Sequence, residues 1–285
     1  MIKDFYENWS SHLKDIFSNK KVVENIILNY AGSQILRVLL SSFAYSCRSA
    51  LKSWPKTNLT IMLRKKGFIL IPNFLSDEDF KKVKVEFNNK NKAGHHSPIK
   101  DGDTFVDRFT YSPDQWKRLP AINKLLSNNL LLNTLESVEL DNIDIGDVWF
   151  DTINYGNSQK GASSQTELHS DTFYNTHKVW FFIEPVALED GPLYFVPSSN
   201  QLSLKRLIFE YNKSINYKNL TDYSFRVELK DKAPHGFEEK ALICPSNTLI
   251  IANTRGFHRR GNAKAGHSRK QIHFCSRTKN PFSFF

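Results

Sequence analysis

A histidine and an aspartate two residues apart have the spacing needed to bind one metal ion. His169 and Asp171 flank a single serine, and on an extended segment residues i and i+2 project to the same side. A second imidazole, His258, follows an apolar run at 249–252 that is typical of a buried strand. Two histidines and one carboxylate on one face of a metal are the ligand set of non-haem Fe(II) oxygenases. We therefore expect these three side chains to be the metal ligands and the catalytic residues.

An arginine downstream of His258 is the candidate for binding a second molecule at this site. Three protein ligands leave coordination positions open, which suits a bidentate 2-oxo acid and O2. Arg269 opens the next predicted strand, and its planar guanidinium could pair with the far carboxylate of 2-oxoglutarate. We therefore expect Arg269 to bind this co-substrate.

Other polar side chains near the motif are weaker candidates. Asp151 and Lys178 lie on predicted strands that flank it, and we expect them to contribute to binding of the co-substrate, as we do for Arg260. The remaining histidines have no partner pattern and are expected to be ordinary surface or core residues; they include His95, His96, His177, His235, His267 and His273.

The chain from residue 147 onward has the pattern of short strands. Residues 148–155 alternate between two faces, and turn signals such as Asp-Gly-Pro at 190–192 separate the later candidates. These candidates are 178–184, 193–196, 248–252 and 270–276. Several short strands without alternating helices favour a sandwich or barrel over a parallel α/β sheet. The predicted fold class is therefore mainly β with flanking helices.

The earlier part of the chain is predicted to be largely helical. We expect a helical N-terminal extension over 1–56 and a single oxygenase-type domain over 57–285. Within the first half of that domain we expect a strand at 67–72, a helix at 77–88 capped by Ser76, a long polar loop at 89–118 and a helix at 119–139.

These residues together resemble the phytanoyl-CoA dioxygenase family. The residues His169-Ser-Asp171, His258 and Arg269 are similar to its H-x-D…H…R pattern, and the segments 67–76, 178–186 and 189–199 are similar to its opening strand, central strand and central turn. The resemblance covers about 57–285 and leaves 1–56 outside. The family's Gly-Ser-His after the turn is Ser198-Ser199-Asn200 here. Arg260 stands where relatives often carry a small hydroxyl residue, so Arg260 or Arg255 could share the role of Arg269.

The resemblance implies a double-stranded β-helix, a jelly-roll, cupin-like fold that binds Fe(II) and 2-oxoglutarate. It implies oxidation of an unactivated C–H bond in a small-molecule or lipid-like substrate, with release of succinate and CO2. Hydroxylation is the commonest outcome in such enzymes, and oxidative cyclisation or desaturation by the same site is the alternative. A non-catalytic jelly-roll binding protein that retains the ligands by descent is a further alternative.

Composition and charge limit the remaining possibilities. The chain has 285 residues and a net charge of +10, and its 40% hydrophobic and 24% charged residues exclude a disordered chain. Its 12 Gly, 11 Pro and 3 Cys exclude collagen-like and disulfide-scaffold classes. The odd number of cysteines favours a reducing, cytoplasmic compartment. The apolar stretch 22–47 is interrupted by polar residues, which favours amphipathic helices on the core over a membrane span; contact with a membrane surface is an alternative.

Basic residues are concentrated at the end of the chain. Residues 241–285 contain no Asp or Glu and carry eight Lys or Arg. Such a segment suits an anionic ligand, and Arg255, Arg259, Arg260 and Lys264 could frame an anionic group of the substrate. No pattern typical of nucleic-acid readout accompanies the charge, so a nucleic-acid partner is not expected.

Overall fold

The computed structural model describes residues 14–51, 54–89, 94–156, 163–217, 224–227, 238–276 and 280–284. The helices are α1 (Ile26–Tyr30), α2 (Ser33–Leu51), α3 (Asn58–Lys66), α4 (Asp77–Asn88), α5 (Pro113–Trp116), α6 (Pro120–Leu126), α7 (Asn129–Glu139) and α8 (Leu204–Ile215). The strands are β1 (Phe68–Ile71), β2 (His95–His96), β3 (Ile99–Asp101), β4 (Thr104–Tyr111), β5 (Val148–Tyr155), β6 (His169–Ser170), β7 (His177–Phe182), β8 (Leu193–Phe195), β9 (Phe225–Arg226), β10 (Lys240–Leu242), β11 (Thr248–Asn253), β12 (His258–Arg260) and β13 (Ser268–Ser276).

Two antiparallel sheets form the body of the molecule. The larger sheet has the order β1-β11-β7-β13-β5-β4-β2, with β3 added to β4, and the smaller has the order β10-β8-β12-β6-β9. From β5 to β8, and again from β10 to β13, the chain alternates between the sheets. This connectivity is that of a jelly roll, and it confirms the predicted fold class.

The alternation of side chains along the large sheet separates an apolar core from a polar interior. Phe150, Phe181 and Phe274 point outward and are buried against α3, α4, α6 and α7. Their neighbours in sequence point inward, toward the small sheet. Part of this interior is apolar, with Phe182 and Phe195 at its centre, and the remainder is an open polar cavity.

Most predicted elements are confirmed, and two are wrong. The segment 89–118, predicted to be a loop, contains the eight-residue strand β4, which pairs along its whole length with β5. The apolar alternation is interrupted there because Arg108 points inward and is paired with Asp151. The helix predicted at 119–139 is two helices, because Ser127 ends α6 and the Asn128 side chain caps α7.

The described part of the N-terminal segment packs against the jelly roll. The buried face of helix α2 is largely polar: Gln34 and Arg37 are fully buried beside Val38 and Ala44, whereas Leu36, Leu39 and Phe43 are 41–60% exposed. The division at residue 56 stays a prediction. None of the described helices is both long enough and apolar enough to cross a membrane.

Candidate metal centre

The small sheet brings the two histidines of the motif face to face. His169 begins β6 and His258 begins β12, and the two are direct partners in the antiparallel register. Their ring centroids are 4.6 Å apart. Asp171 follows β6, and its Oδ1 lies 3.5 Å from His169 Nε2 and 3.7 Å from His258 Nε2. All three ligand atoms therefore lie within 4.8 Å of one another, close enough to share one ion.

Hydrogen bonds fix both imidazoles with the same nitrogen toward this point. His169 Nδ1 is 2.7 Å from the carbonyl oxygen of Glu167, and His258 Nδ1 is 2.9 Å from that of Gly256. A carbonyl only accepts, so each Nδ1 carries the hydrogen and each Nε2 presents its lone pair. This is the arrangement that orients metal-binding histidines in proteins, and it fits a divalent ion at this site.

The protonation states also suit a cation. Burial, together with the neighbouring His258, lowers the pKa of His169 to about 3, and burial lowers the pKa of His258. Burial works against ionisation of Asp171, but the adjacent Lys178 ammonium outweighs it and holds the pKa of this carboxyl well below its usual range. Two neutral imidazoles and one carboxylate are therefore available at neutral pH.

Lys178 holds the second oxygen of the ligand carboxylate. Its Nζ lies 2.7 Å from Asp171 Oδ2, while Oδ1 faces the histidines. Asp171 can therefore offer one oxygen to an ion. Lys178 also lines the adjoining cavity, and its expected contact with the co-substrate stays a prediction.

A cavity of about 580 Å³ opens from the two histidines along the inner face of the large sheet. Its walls alternate along each strand, as the pleat requires, so that every second side chain faces the cavity. These inward side chains are Val106 and Arg108 of β4, Trp149, Asp151 and Ile153 of β5, Lys178, Trp180 and Phe182 of β7, and Arg269, Gln271, His273 and Cys275 of β13.

Two arginines line this cavity and keep donors without a partner in the described part of the chain: Arg269, which is buried, and Arg260, which is partly buried. Arg269 Nη1 donates to the carbonyl oxygen of Gly191, and Arg260 Nη2 donates to Ser163 Oγ. The Nε of each arginine has no hydrogen-bond partner among the described residues. Burial lowers the pKa of Arg260, and the neighbouring Arg269 lowers it further. Two neighbouring guanidinium groups that are largely shielded from solvent favour an anion between them.

Asp151 lines the cavity, as its expected role requires, and its contribution to binding of the co-substrate stays a prediction. Its two carboxylate oxygens each accept a hydrogen bond of 2.8 Å from Arg108, and Oδ2 also lies 2.8 Å from His273 Nε2. The carboxylate is therefore engaged by protein groups, and it holds part of the cavity wall in place.

Sequence reasoning missed Arg108 and His273 as residues of the cavity. The sequence predicts a loop around Arg108 and an ordinary role for His273. The pairing of each with Asp151 crosses from one strand to another, so no local signal marks it. The one sequence signal is that polar residues stand at 269, 271 and 273, every second position of the predicted strand. Such residues share one face of a sheet, and a polar set indicates a face that does not pack in an apolar core. His235 lies outside the described residues.

Comparison with known proteins identifies the family of this chain and solved structures that share its fold. The family model for phytanoyl-CoA dioxygenase (PhyH) matches residues 63–235, a segment that contains His169 and Asp171 and ends before His258. No curated protein matches the chain.

Several solved structures share the fold. The epimerase SnoN in complex with Fe3+, alpha ketoglutarate and nogalamycin RO superposes with a TM-score of 0.56 at 14% identity, over 76% of this chain and 81% of that one. EctD from S. alaskensis with bound Fe superposes with a TM-score of 0.55 at 12% identity, over 81% and 84% of the two chains. AviO1 from Streptomyces viridochromogenes Tue57 superposes with a TM-score of 0.50 at 11% identity, over 81% and 98%.

Proposed function

Because this chain belongs to the phytanoyl-CoA dioxygenase family of Fe(II)- and 2-oxoglutarate-dependent non-haem iron oxygenases, we propose that it hydroxylates an unactivated C–H bond of a small-molecule or lipid-like substrate. 2-Oxoglutarate would be converted to succinate and CO2 in the same turnover. The observation that carries the proposal is the convergence of His169, Asp171 and His258 at one end of a cavity that also contains Arg269.

The protein's contribution at the metal is to offer three oriented ligand atoms and leave the other positions open. His169 and His258 would each bind through Nε2, and Asp171 through Oδ1. Fe(II) bound there supplies the site at which O2 and the 2-oxo acid are activated together. Lys178 keeps the carboxylate in one orientation through Oδ2.

Arg269 is the proposed ligand of the far carboxylate of 2-oxoglutarate. It is buried and keeps a donor without a partner among the described residues. Arg260 would share this role, since its own unpaired Nε lies in the same cavity. Asp151 would act indirectly, through Arg108 and His273, on the shape of the wall.

The substrate proposal is for a small molecule held mainly by shape and apolar contact. Trp149, Ile153 and Trp180 line the cavity and provide that contact. Of the four cations expected to frame an anionic group, Arg259 lines the cavity but pairs with Glu239, and Arg255 is buried outside the cavity lining. Lys100, an exposed lysine that lines the cavity, supports the proposal that the substrate carries an anionic group. If it does, Lys100→Glu should raise the KM for the substrate.

Anaerobic titration with Fe(II) and 2-oxoglutarate tests the metal and co-substrate proposals together. We expect a visible metal-to-ligand charge-transfer band in the wild type and in His95→Ala, whose histidine is exposed. His169→Ala should abolish the band. A wild-type protein without the band, and without succinate from any substrate pool, would contradict the proposal. Binding of both ligands without any succinate would instead favour a non-catalytic jelly-roll binding protein.

The reaction outcome is read from the product. Hydroxylation adds one oxygen atom to the substrate, and with labelled O2 that atom carries the label. Cyclisation or desaturation removes two hydrogen atoms and adds no oxygen. SnoN is an epimerase, and epimerisation leaves the mass unchanged. Mass spectrometry of the product therefore separates hydroxylation from the alternatives.

Contact with a membrane surface through the N-terminal helices is a further proposal. Leu36, Leu39 and Phe43 of α2 are exposed, as is Ile27 of α1. Across α1, α2 and α8 the only acidic residue is Glu210, which is fully buried, so these three helices carry no exposed carboxylate. Exposed apolar side chains without acidic neighbours suit an anionic bilayer. Vesicles containing phosphatidylserine should retain the wild type and release Phe43→Ser; a stable dimer in solution that hides this face would contradict the proposal.

A reducing, cytoplasmic compartment is likewise our proposal. Cys47, Cys244 and Cys275 are all free thiols and none is fully exposed. Free thiols persist where glutathione keeps them reduced. Three thiols should react with a labelling reagent after unfolding, both with and without prior reduction of protein purified from the cell.

A further inference from the structure

The serine at the centre of the His169-Ser-Asp171 motif is the meeting point of a buried polar network. Side chains of an extended segment alternate between its two faces, so the Ser170 side chain points away from the metal centre, opposite to His169 and Asp171. Ser170 is fully buried. Its Oγ lies 2.9 Å from the carbonyl oxygen of Thr172 and 3.0 Å from that of Arg255. It accepts from Arg206 Nη2 at 2.8 Å and from Lys21 Nζ at 3.2 Å.

Arg206 of α8 bridges the two segments that carry the proposed metal ligands. Its Nη1 donates to the carbonyl oxygen of Arg255, at 2.6 Å, in the turn before His258. Its Nη2 donates to Ser170 Oγ and lies 3.3 Å from the carbonyl oxygen of Thr172, on either side of Asp171. One planar guanidinium therefore fixes the separation of the two segments, which a lysine could not do with a single donor atom.

Glu210 and Lys21 hold this guanidinium from the other side. Glu210 Oε1 accepts from Arg206 Nε at 3.0 Å and from Nη2 at 2.6 Å. Glu210 Oε2 accepts from Gln34 Nε2 of α2 at 2.8 Å, and Lys21 Nζ lies 3.8 Å from Oε1. Lys21 and Gln34 belong to the N-terminal segment that lies outside the family resemblance. That segment therefore contacts Ser170 and Glu210 directly, on the side of β6 that faces away from the metal ligands.

We propose that Arg206, Glu210 and Lys21 are positioning residues for the metal centre, because they set the distance between the 169–171 segment and the 255–258 segment. Through Lys21, the N-terminal segment takes part in this positioning. The inference rests on the proposed function, because it assigns His169, Asp171 and His258 as the metal ligands. None of the three positioning residues contacts a ligand atom itself. Their effect reaches the metal through Ser170 and through the carbonyl groups of Thr172 and Arg255.

The test is the affinity of the full chain for Co(II), with thermal unfolding recorded with and without the ion. Arg206→Lys keeps the positive charge but removes the planar guanidinium with its several donors. Its control is Lys205→Arg, at the adjacent exposed lysine. Lys21→Met is matched by Lys20→Met, whose lysine is exposed. Ser170→Ala removes the meeting point while leaving every charge in place. Loss of an orienting partner of a metal ligand weakens metal binding by about 10- to 100-fold.

We expect the Co(II) dissociation constant to rise about 10-fold or more in Arg206→Lys, Lys21→Met and Ser170→Ala, and to stay within about twofold in both controls. The rise in Tm caused by Co(II) should shrink with it, and the visible Co(II) absorption should change. A purely structural role would lower the Tm of the metal-free protein and leave the dissociation constant unchanged. Unchanged Co(II) affinity in the folded variants would overturn the inference.

The outcome also separates this inference from the proposed function. If His169→Ala abolishes Co(II) binding and the three variants do not weaken it, the metal centre stands and the positioning role fails. If wild type and His169→Ala bind Co(II) equally, the metal centre itself fails, and the positioning role fails with it.

Discussion

Arg108 and Asp151 are direct cross-strand partners in the large sheet, and they form a bidentate ion pair in the cavity wall. Nε and Nη2 of the arginine each lie 2.8 Å from one oxygen of the aspartate. The Asp151 side chain is 2% exposed, so its charge depends on this partner and on His273. Removing one member of such a pair leaves a buried charge without compensation.

We therefore expect Arg108→Ala to lower the free energy of unfolding by about 3–5 kcal/mol. Arg118→Ala, at an exposed arginine of the same region, should change it by less than about 0.5 kcal/mol. The double variant Arg108→Leu/Asp151→Leu should be more stable than Arg108→Ala, because no uncompensated carboxylate remains. Urea denaturation measures all three. A single variant as stable as the wild type would show that Asp151 does not rely on the arginine.

The same cluster predicts a pH dependence of stability. Burial lowers the pKa of His273, so the unfolded chain takes up a proton near pH 6.5 that the folded protein does not. The unfolded state then binds more protons, and stability falls as the pH drops below about 6.5. The pKa of Asp151 is also lowered: burial opposes this, and His273 and Arg108 outweigh it. Its contribution is present above the unfolded pKa near 3.8 and is lost only at lower pH.

The variant His273→Gln isolates the first of these effects. Between about pH 5 and pH 7 its free energy of unfolding should vary less steeply than that of the wild type, by up to about 1.4 kcal/mol per pH unit. His95→Gln, at an exposed histidine, should keep the wild-type slope. Identical slopes in all three proteins would mean that His273 takes up its proton equally in the folded and unfolded states.

The sequence predicted the metal centre better than the cavity around it. His169 and Asp171 were identifiable because their spacing is local, and His258 because it follows an apolar strand. The resemblance supplied the order of strands that brings them together. The contacts of Arg108, Arg206 and Lys21 are made between segments far apart in the chain, so neither periodicity nor spacing indicates them.

Helix α2 shows a second limit of sequence reasoning. Its apolar residues at 36, 39 and 43 recur at the spacing of a core-facing stripe, and the usual inference would bury them. The structure buries Gln34 and Arg37 instead, because Glu210 and several backbone carbonyl groups satisfy their donors. A periodic pattern identifies the helix; the buried partners decide which face points inward.

The two cavity arginines should affect 2-oxoglutarate unequally. Arg269→Leu removes a guanidinium whose proposed partner is a carboxylate, an interaction of about 1.5–3 kcal/mol, or roughly 10- to 150-fold in affinity. Arg260→Leu should cost less, because Asp101 Oδ2 lies 3.9 Å from its Nη2 and already offsets part of its charge. Titration of the charge-transfer band with 2-oxoglutarate measures both, and Lys264→Leu, an exposed lysine, is the control. A larger loss in Arg260→Leu would reverse the assignment of the main ligand.

Gly256 sits where a side chain would displace a proposed metal ligand. A Cβ at this position would lie 2.3 Å from Cζ of Phe195, and the Phe195 ring stacks on His258 with centroids 6.4 Å apart. The carbonyl oxygen of Gly256 also orients the His258 imidazole. Gly256→Ala should therefore lower the free energy of unfolding by about 1–3 kcal/mol and weaken Co(II) binding. Gly146→Ala, where a Cβ meets open space, is the matched control. Because the clash involves the Phe195 ring, Phe195→Leu in the Gly256→Ala background should recover part of the metal affinity; no recovery would place the defect in the backbone instead.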